Sequence, residues 1–343
     1  MWIDFSYKKK LTFSYFLRKK KKEKSYWKKD IFSFLENWYD NKPMLSSLTS
    51  GSTGVPKIIS LHKEHMYERA IKTVEFLKLN QKGVRGLLCL STDFIAAKMF
   101  LVRAIIFKWK IYCVPPSSNP LKNIQKYFDI TSMVPIQVFF SLEKLRNIKI
   151  VLIGGCSISN FLKKKLQNVS TICYATYGMT ETLGHIAIKK INGSNKSIFY
   201  KSFQDVHLSV DHRNCLGISY PYSFIQTNDI VHMISQKTFI WIGRYDNVIN
   251  SGGIKIIPEL IEKKISCFIP YEKRFFISSI PDKILGEKII LVIEGKPFSF
   301  HIPNYLFSGK KKFYKPKNIF FISHFTDNLL DKFRRKEIIK KLI

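Results

Sequence analysis

Apolar and polar residues change their spacing several times along the chain, and each change predicts an element. Ile31 to Trp38 (IFSFLENW) places apolar side chains at helical spacing, and Pro43 closes that segment. A helix is predicted over His62–Leu77, then a strand over Gly86–Ser91 (GLLCLS). Ile95, Met99, Val102 and Ile106 form the apolar face of the next helix, and Lys110–Val114 reads as a strand ended by Pro115-Pro116. A second helix–strand unit follows, with the helix at Asn123–Ser132 and the strand at Val134–Phe140. Ile148–Ile153 (IKIVLI) is a strand running into Gly154-Gly155, and Ser159–Gln167 and Thr171–Tyr174 complete the alternation. Strands alternating with helices predict an α/β domain with a largely parallel sheet. In such sheets ligands sit outside the carboxyl ends of the strands.

Beyond Ile198 the texture changes. Short apolar runs (VHLSV, IVHMI, TFIWI) broken by polar turns predict β structure as far as Ile242. Residues 246–343 read as a small α+β unit: a helix at Pro258–Ile265, strands near Phe275–Ile280 and Ile289–Glu294, and a basic C-terminal helix. The boundary is placed at Arg244 to Asp246, dividing the chain into domains 1–244 and 245–343.

Composition changes this picture in two places. The six cysteines are scattered and form no CxxC, which excludes a zinc ribbon and a disulfide scaffold and suits a reducing compartment. No uncharged apolar run is long enough to span a bilayer, and the N-terminus (MWIDFSYKKK) lacks the apolar core of a secretory signal, so a cytoplasmic protein is expected. Charge is the unusual quantity: 57 basic against 25 acidic residues give +32. Nucleic acid is the obvious partner for such a balance, yet 47 of the 57 are Lys and only 10 are Arg, spread over the whole chain. Specific readers of bases and phosphates favour the bidentate fork of Arg. The abundance of Lys, Ile, Asn, Phe and Tyr, which share A/T-rich codons, is better explained by a biased genome. The field still draws anionic ligands toward a cleft.

Four segments carry chemistry. Thr49-Ser50-Gly51-Ser52-Thr53-Gly54-Val55-Pro56-Lys57 packs four hydroxyls, two glycines and a lysine into nine residues, a set suited to a polyphosphate. It is not a Walker A loop, because two residues separate the glycines and no Ser/Thr follows the lysine. Tyr177-Gly178-Met179-Thr180-Glu181-Thr182 follows a strand; Tyr177 offers a ring to a base, Thr180 a hydroxyl to a phosphate or carboxylate, and Glu181 an oxygen to Mg²⁺. Thr227-Asn228-Asp229 precedes Gly243-Arg244-Tyr245-Asp246 by a short interval, and an aspartate can accept both hydroxyls of a ribose. Ser251-Gly252-Gly253 leads to Pro258 at a helix entry, where glycines permit close approach of a backbone or ligand. Taken singly, each has a plainer reading: a flexible linker, a strand-to-loop turn, a turn aspartate.

Taken in order, the four segments resemble the adenylate-forming superfamily of acyl- and aryl-CoA ligases, adenylation domains and luciferases. TSGSTGVPK is similar to its phosphate loop, YGMTET to its ATP and Mg²⁺ motif, and IGRYDNVINSGGIKIIPELIE to its ribose, hinge and crossover motifs; TND stands where TGD is usual. The resemblance covers about residues 45–340. It implies an adenylate-forming fold: a large N-terminal α/β domain with mixed sheets and a small mobile C-terminal α+β domain. It implies that Thr49, Ser50, Gly51, Ser52, Thr53, Gly54 and Lys57 hold the β and γ phosphates, and that Tyr177, Gly178 and Met179 line the adenine pocket. Thr180 would touch the α-phosphate, Glu181 would bind Mg²⁺, and Asp229 and Arg244 would hold the ribose. Asp246 would be the hinge, with Ser251, Gly252 and Gly253 lining the coenzyme A tunnel. Gly154-Gly155-Cys156 is similar to a segment beside the acyl pocket. The family's last motif, TxxGKxxR, places its catalytic lysine at Lys332. Lys332 and Arg335 keep the spacing, but Asp331 replaces the glycine and Thr326 lies two residues too far away. Only 48 residues precede Thr49, where family members usually carry a long N-terminal subdomain.

The implied reaction is that of an acid–thiol ligase. ATP converts a carboxylic acid to acyl-AMP, and the thiol of coenzyme A then takes the acyl group. The short N-terminus, Val134-Pro135-Ile136-Gln137-Val138 and the LIGGCSIS stretch look most like the o-succinylbenzoate–CoA ligases of menaquinone biosynthesis. Lys98 and Arg103 lie on a helix expected to line the acid's pocket, where a cation suits a second carboxylate, although surface charge is the plainer expectation for both. Two other readings stay open: an adenylation enzyme that loads a carrier protein, and a basic nucleic-acid-binding remnant without catalysis.

Overall fold

The computed structural model describes residues 1–7, 11–48, 57–325 and 335–342. The chain forms two compact units, residues 1–157 with 165–204 and residues 158–164 with 205–343.

The first unit opens with β1 (Trp2–Asp4), α1 (Phe13–Lys22) and α2 (Tyr26–Trp38), and a hairpin of β2 (Met44–Leu48) and β3 (Ile58–His62). Then follow α3 (Lys63–Leu77), β4 (Arg85–Leu88), α4 (Ile95–Ile106), β5 (Lys110–Cys113), β6 (Phe128–Met133), α5 (Pro135–Phe140) and β7 (Ile148–Ile153). After α6 (Asn160–Lys165) come β8 (Ile172–Met179), β9 (Gly184–Lys190) and β10 (Tyr200–Ser202). Its strands lie in the order β1-β5-β4-β6-β7-β8-β9-β10. β5, β4, β6, β7 and β8 are parallel, while β1, β9 and β10 pair antiparallel. The expected parallel sheet is therefore present, with antiparallel strands at both flanks.

Three differences from the sequence reading have physical causes. Residues 123–140 are ordered strand then helix, the reverse of the expectation. Pro135 sits at the first helical position, where its missing N–H costs nothing, and the Gln137 side chain accepts from the Val134 N–H at 3.2 Å. The second difference is α4, which is buried around most of its circumference from Ala97 to Ala104 rather than along one stripe. Its Phe100 meets Trp109 edge to face at 6.1 Å, a pair worth about 0.5–1.5 kcal/mol beyond its buried area. Lys98 and Arg103 are 9% and 2% exposed, so the expectation of surface charges is overturned for both. The third is β8, which runs on to Met179, so that Tyr177, Gly178 and Met179 are strand residues rather than a loop after it.

The second unit contains an antiparallel meander of β11 (His207–Val210), β12 (Cys215–Tyr220), β13 (Ser223–Ser235) and β14 (Thr238–Arg244). It continues with β15 (Ile249–Ser251), β16 (Ile254–Ile256), α7 (Pro258–Ile265), β17 (Phe275–Asp282), β18 (Gly286–Glu294), β19 (Asn318–Ile322) and α8 (Arg335–Lys340). The alternation in β18 decides the packing of this sheet. Ile289, Leu291 and Ile293 pack with Ile261 and Ile265 of α7, while Ile290 and Val292 pack with Phe276, Phe325 and Ile338 of α8. Both faces are apolar because each carries a layer. The compact units divide after Gln204, whereas the sequence places its boundary at Arg244 to Asp246. Gly243 lets the meander and α7 belong together: a Cβ there would lie 2.6 Å from Ile257 Cγ2.

Candidate functional site

In the first unit, three motif segments emerge level with one another. The registers Met133↔Ile153 and Ile153↔Ala175 align the carboxyl ends of β6, β7 and β8. The residues that follow therefore sit side by side: Val134, then Gly154-Gly155-Cys156, then Thr176 onward. The Gly154 N–H donates to the Met133 carbonyl at 3.1 Å, and the Thr176 hydroxyl donates to the Ile153 carbonyl at 3.2 Å. A Cβ on Gly154 would collide with Thr176 Oγ1, so glycine is required for this approach. Gly155 has φ +89°, the left-handed region that favours glycine.

The turn after β8 is built by a residue that the sequence reading did not single out. The buried Thr182 hydroxyl oxygen accepts from the Met179 N–H at 2.8 Å and lies 2.6 Å from the Gly184 carbonyl oxygen as a donor. The Leu183 N–H closes the turn on the Thr180 carbonyl at 3.0 Å. This holds Thr180 inward, nearly buried, and leaves Glu181 exposed. The signal for Thr182 was local: a threonine whose hydroxyl can mimic a backbone turn two or three residues away. Tyr177 stands 5.9 Å from Tyr200, ring to ring.

The phosphate-loop residues Thr49, Ser50, Gly51, Ser52, Thr53 and Gly54 lie outside the described residues. Their flanks do not: β2 and β3 pair antiparallel with Leu48 opposite Ile58. Lys57 is exposed beside β3. Lys98 Nζ donates to Ser47 Oγ at 2.7 Å, tying α4 to this hairpin; burial lowers its pKa while Asp93 opposes the shift. Further along α4, burial lowers the Arg103 guanidinium to about 9, and its Nε has no hydrogen-bond partner among the described residues.

In the second unit, register explains the separation of the two ribose motifs. β13 and β14 pair with Asp229 opposite Arg244. Asp229 Oδ1 accepts from Trp241 Nε1 at 3.2 Å and from Arg244 Nη1 at 3.5 Å. Arg244 Nη2 donates to Asp246 Oδ2 at 2.6 Å. Asp246 is thus joined to the pair on which the ribose reading rests. Ser251 ends β15, and Gly252 and Gly253, at φ +58° and +79°, form the two-residue turn into β16. Positive φ at both central residues is what a tight hairpin of this hand demands, so the turn alone explains both glycines. Lys332, with Thr326 and Asp331, lies outside the described residues. Arg335 is described: its guanidinium reaches Glu262 Oε1 at 2.8 Å and the Ile277 carbonyl at 3.1 Å. Among the described residues no three His, Cys, Asp or Glu side chains cluster as a metal site, and no helix is long and apolar enough to cross a membrane.

Comparison with known proteins gives three findings. The profile of the AMP-binding enzyme family matches residues 15–202. The 2-succinylbenzoate–CoA ligase of Lactococcus lactis is 25% identical over 231 residues, 61% of this chain and 51% of that protein. Its Escherichia coli counterpart is 23% identical over 305 residues, 81% of this chain and 64% of that protein. The chain thus spans about half to two thirds of these curated relatives. Among solved structures, the acyl-CoA synthetase (AMP-forming)/AMP-acid ligase II-like protein of Dyadobacter fermentans is 32% identical, covers 94% of this chain and 97% of its own, and superposes with a TM-score of 0.62. The o-succinylbenzoate coenzyme A synthetase of Bacillus subtilis, in complex with ATP and magnesium ion, is 18% identical with a TM-score of 0.70 over 86% of this chain and 69% of its own. These structures share the adenylate-forming fold with this chain.

Proposed function

The chain belongs to the AMP-binding enzyme family, and on that premise we propose that it joins a carboxylic acid to coenzyme A through an acyl-adenylate, with 2-succinylbenzoate as the acid. The observation that carries this reading is the level placement of Val134, Gly154 and Thr176 on three adjacent parallel strands, with β8 carrying Tyr177–Met179 on into the Thr180–Glu181 turn. That is where α/β sheets bind ligands. Tyr177, Gly178 and Met179 supply the edge for adenine, and Thr180 is held by the Thr182 turn for the α-phosphate or the acid's carboxylate. Asp229, nearly buried and paired with Arg244, offers its carboxylate to the ribose hydroxyls.

The donor set fits Mg²⁺–ATP. Mg²⁺ binds through one or two carboxylates together with phosphates and water, and Glu181 is one exposed carboxylate beside a hydroxyl. Bound there, the ion neutralises charge that would repel an incoming carboxylate. The protein's own cations do the same work: Lys57 and the hydroxyls of residues 49–53 on the outer phosphates, and Lys332 between carboxylate and α-phosphate. Pyrophosphate leaves as the adenylate forms, and coenzyme A needs no protein nucleophile, since its thiol attacks the acyl carbon directly and AMP departs. Turning about Asp246 exchanges Lys332 for the Ser251–Gly253 face between the two half-reactions.

Arg103 supports the choice of a diacid. A guanidinium with an unpartnered Nε at 2% exposure is costly, and a carboxylate would relieve it. The Lactococcus lactis and Escherichia coli relatives, both 2-succinylbenzoate–CoA ligases, support the same choice. The test is ATP–pyrophosphate exchange across a panel of aryl acids. Exchange stimulated by 2-succinylbenzoate, with thioester formed on adding coenzyme A, is the expected result. Exchange with a different acid alone would overturn the substrate, and no acid-dependent exchange would overturn the ligase. Lys332→Ala abolishes adenylate formation but spares thioester formation from supplied acyl-AMP; equal loss of both steps would remove Lys332 from its role.

A further inference from the structure

We propose that Asn228 is a positioning residue that latches the hinge at Asp246 and sets how readily the C-terminal domain turns. The proposal rests on the ligase reading for its catalytic consequence. Its structural basis stands apart from that reading.

Asn228 occupies the place where the resembling family has glycine, and its side chain makes bonds that glycine cannot. Asn228 Nδ2 donates to Asp246 Oδ1 at 2.9 Å. Asp246 Oδ2 accepts from Arg244 Nη2 at 2.6 Å. Both oxygens of the hinge carboxylate are therefore bonded to β13 or β14. The amide's other end is fixed as well: Asn228 Oδ1 accepts from Arg213 Nη1 at 3.3 Å. Arg213 is itself pinned by Asp211, with Nε 2.8 Å and Nη2 2.7 Å from Oδ2. Its guanidinium lies 4.9 Å from the centre of the Tyr245 ring. The residue before the hinge and the hinge itself are thus both gripped by groups that meet at Asn228. This fixes which end of the amide donates, because Arg213 offers only donors and Asp246 only acceptors.

The network also joins the hinge to the ribose pair. Arg244 divides its donors between Asp229 and Asp246. Turning φ at Asp246 carries its carboxylate with the C-terminal segment and so strains the Asn228 bond and the Arg244 bond together. Reverting position 228 to glycine removes one of the two, along with the support that Arg213 gives through it. An ordinary hydrogen bond corresponds to roughly a three- to tenfold change in the population of the released state.

The experiment compares Asn228→Gly and Asn228→Asp with the parent full-length chain. The aspartate is isosteric, so it keeps the packing while replacing the donor by a carboxylate facing Asp246. Amide hydrogen exchange is read at residues 244–248, with β17 and β18 as the internal reference. The expected result is roughly three- to tenfold faster exchange at the hinge in both variants, with the reference unchanged. In the kinetic arm, acid-dependent ATP–pyrophosphate exchange and thioester formation from supplied acyl-adenylate each stay within about twofold, while overall thioester turnover changes about threefold or more, as expected when the turn between half-reactions is altered. Unchanged hinge exchange would overturn the latch. So would faster exchange spread evenly through the unit, or parallel loss of both half-reactions, each the mark of a merely structural residue. Should no acid support pyrophosphate exchange in the parent chain, the ligase reading fails while the hydrogen-exchange arm still decides the latch.

Discussion

Single residues carry the site through what they lack as much as what they offer. Gly178 shows this best, since a Cβ there would collide with the Gly184 carbonyl and lie 2.5 Å from His185 Cα. Backbone atoms cannot swing aside as a flexible side chain does. Gly178→Ala is expected to lower stability by about 1–3 kcal/mol, read from the denaturant midpoint, because the β8–β9 backbone pairing must shift to admit one methyl. An unchanged midpoint would show that the β8–β9 pairing is more plastic than its spacing implies. Glu181→Gln is expected to weaken use of Mg²⁺–ATP, raising the Mg²⁺ needed for half-maximal exchange tenfold or more (roughly, for the loss of a carboxylate ligand). Because Glu181 is exposed, this substitution should leave the melting temperature in place. Both residues were named in YGMTET, Gly178 for the adenine pocket and Glu181 for Mg²⁺. Thr182, the third member, was quoted but given no role, because its contribution is a turn closed by its hydroxyl rather than a contact with ligand.

At the scale of elements, periodicity served well where segments are long and poorly where they are short. The helix over Ile95–Ile106 and the strand over Ile148–Ile153 were legible to the residue. Phe128–Met133 and Pro135–Phe140 were assigned in reverse, because a six-residue apolar run fits either period. What decides between them is tertiary: the Gln137 amide donates to the Cys89 carbonyl at 3.0 Å and the Ser117 carbonyl at 2.9 Å, fastening α5 over the ends of β4 and β5. Gln137→Ala leaves those carbonyls without this donor and is expected to cost about 1–3 kcal/mol, measured by equilibrium unfolding. A loss below about 0.5 kcal/mol would mean that water or another donor replaces the amide. The hairpin β2–β3 escaped the sequence reading altogether. Its strands are exposed on alternate positions, and the hydroxyl-rich stretch between them masks their pairing.

At the scale of the molecule, a half-buried histidine links stability to pH. Burial, reinforced by the positive charges of Arg103 and Arg69, holds His185 well below the usual value of 6.5, and Thr73 Oγ1 lies 3.1 Å from its Nε2. The folded protein therefore resists the proton that the unfolded chain accepts. Above 6.5 the histidine is neutral in both states and its contribution is fully present; as pH falls below that value the unfolded state gains protons and stability declines. Unfolding free energy measured between pH 7.5 and 5 should fall, and His185→Asn should flatten that slope. An equal slope in the variant would assign the loss to other groups. The +32 charge adds a second expectation at this scale, faster capture of anionic substrates at low salt than at high salt.

Most of the strand–helix alternation, the strand at Ile289–Glu294 and the motif segments were legible in the sequence alone, because periodicity and local chemistry act over a few residues. Three things waited for the fold. One was the level alignment of Val134, Gly154 and Thr176, which depends on strand register. Another was the burial of Arg103, a matter of what packs over α4. The last was the bond from Asn228 to Asp246, which joins residues eighteen apart. Each is a relation between segments distant in the chain, and no local pattern encodes the distance between two groups that only a folded backbone brings together.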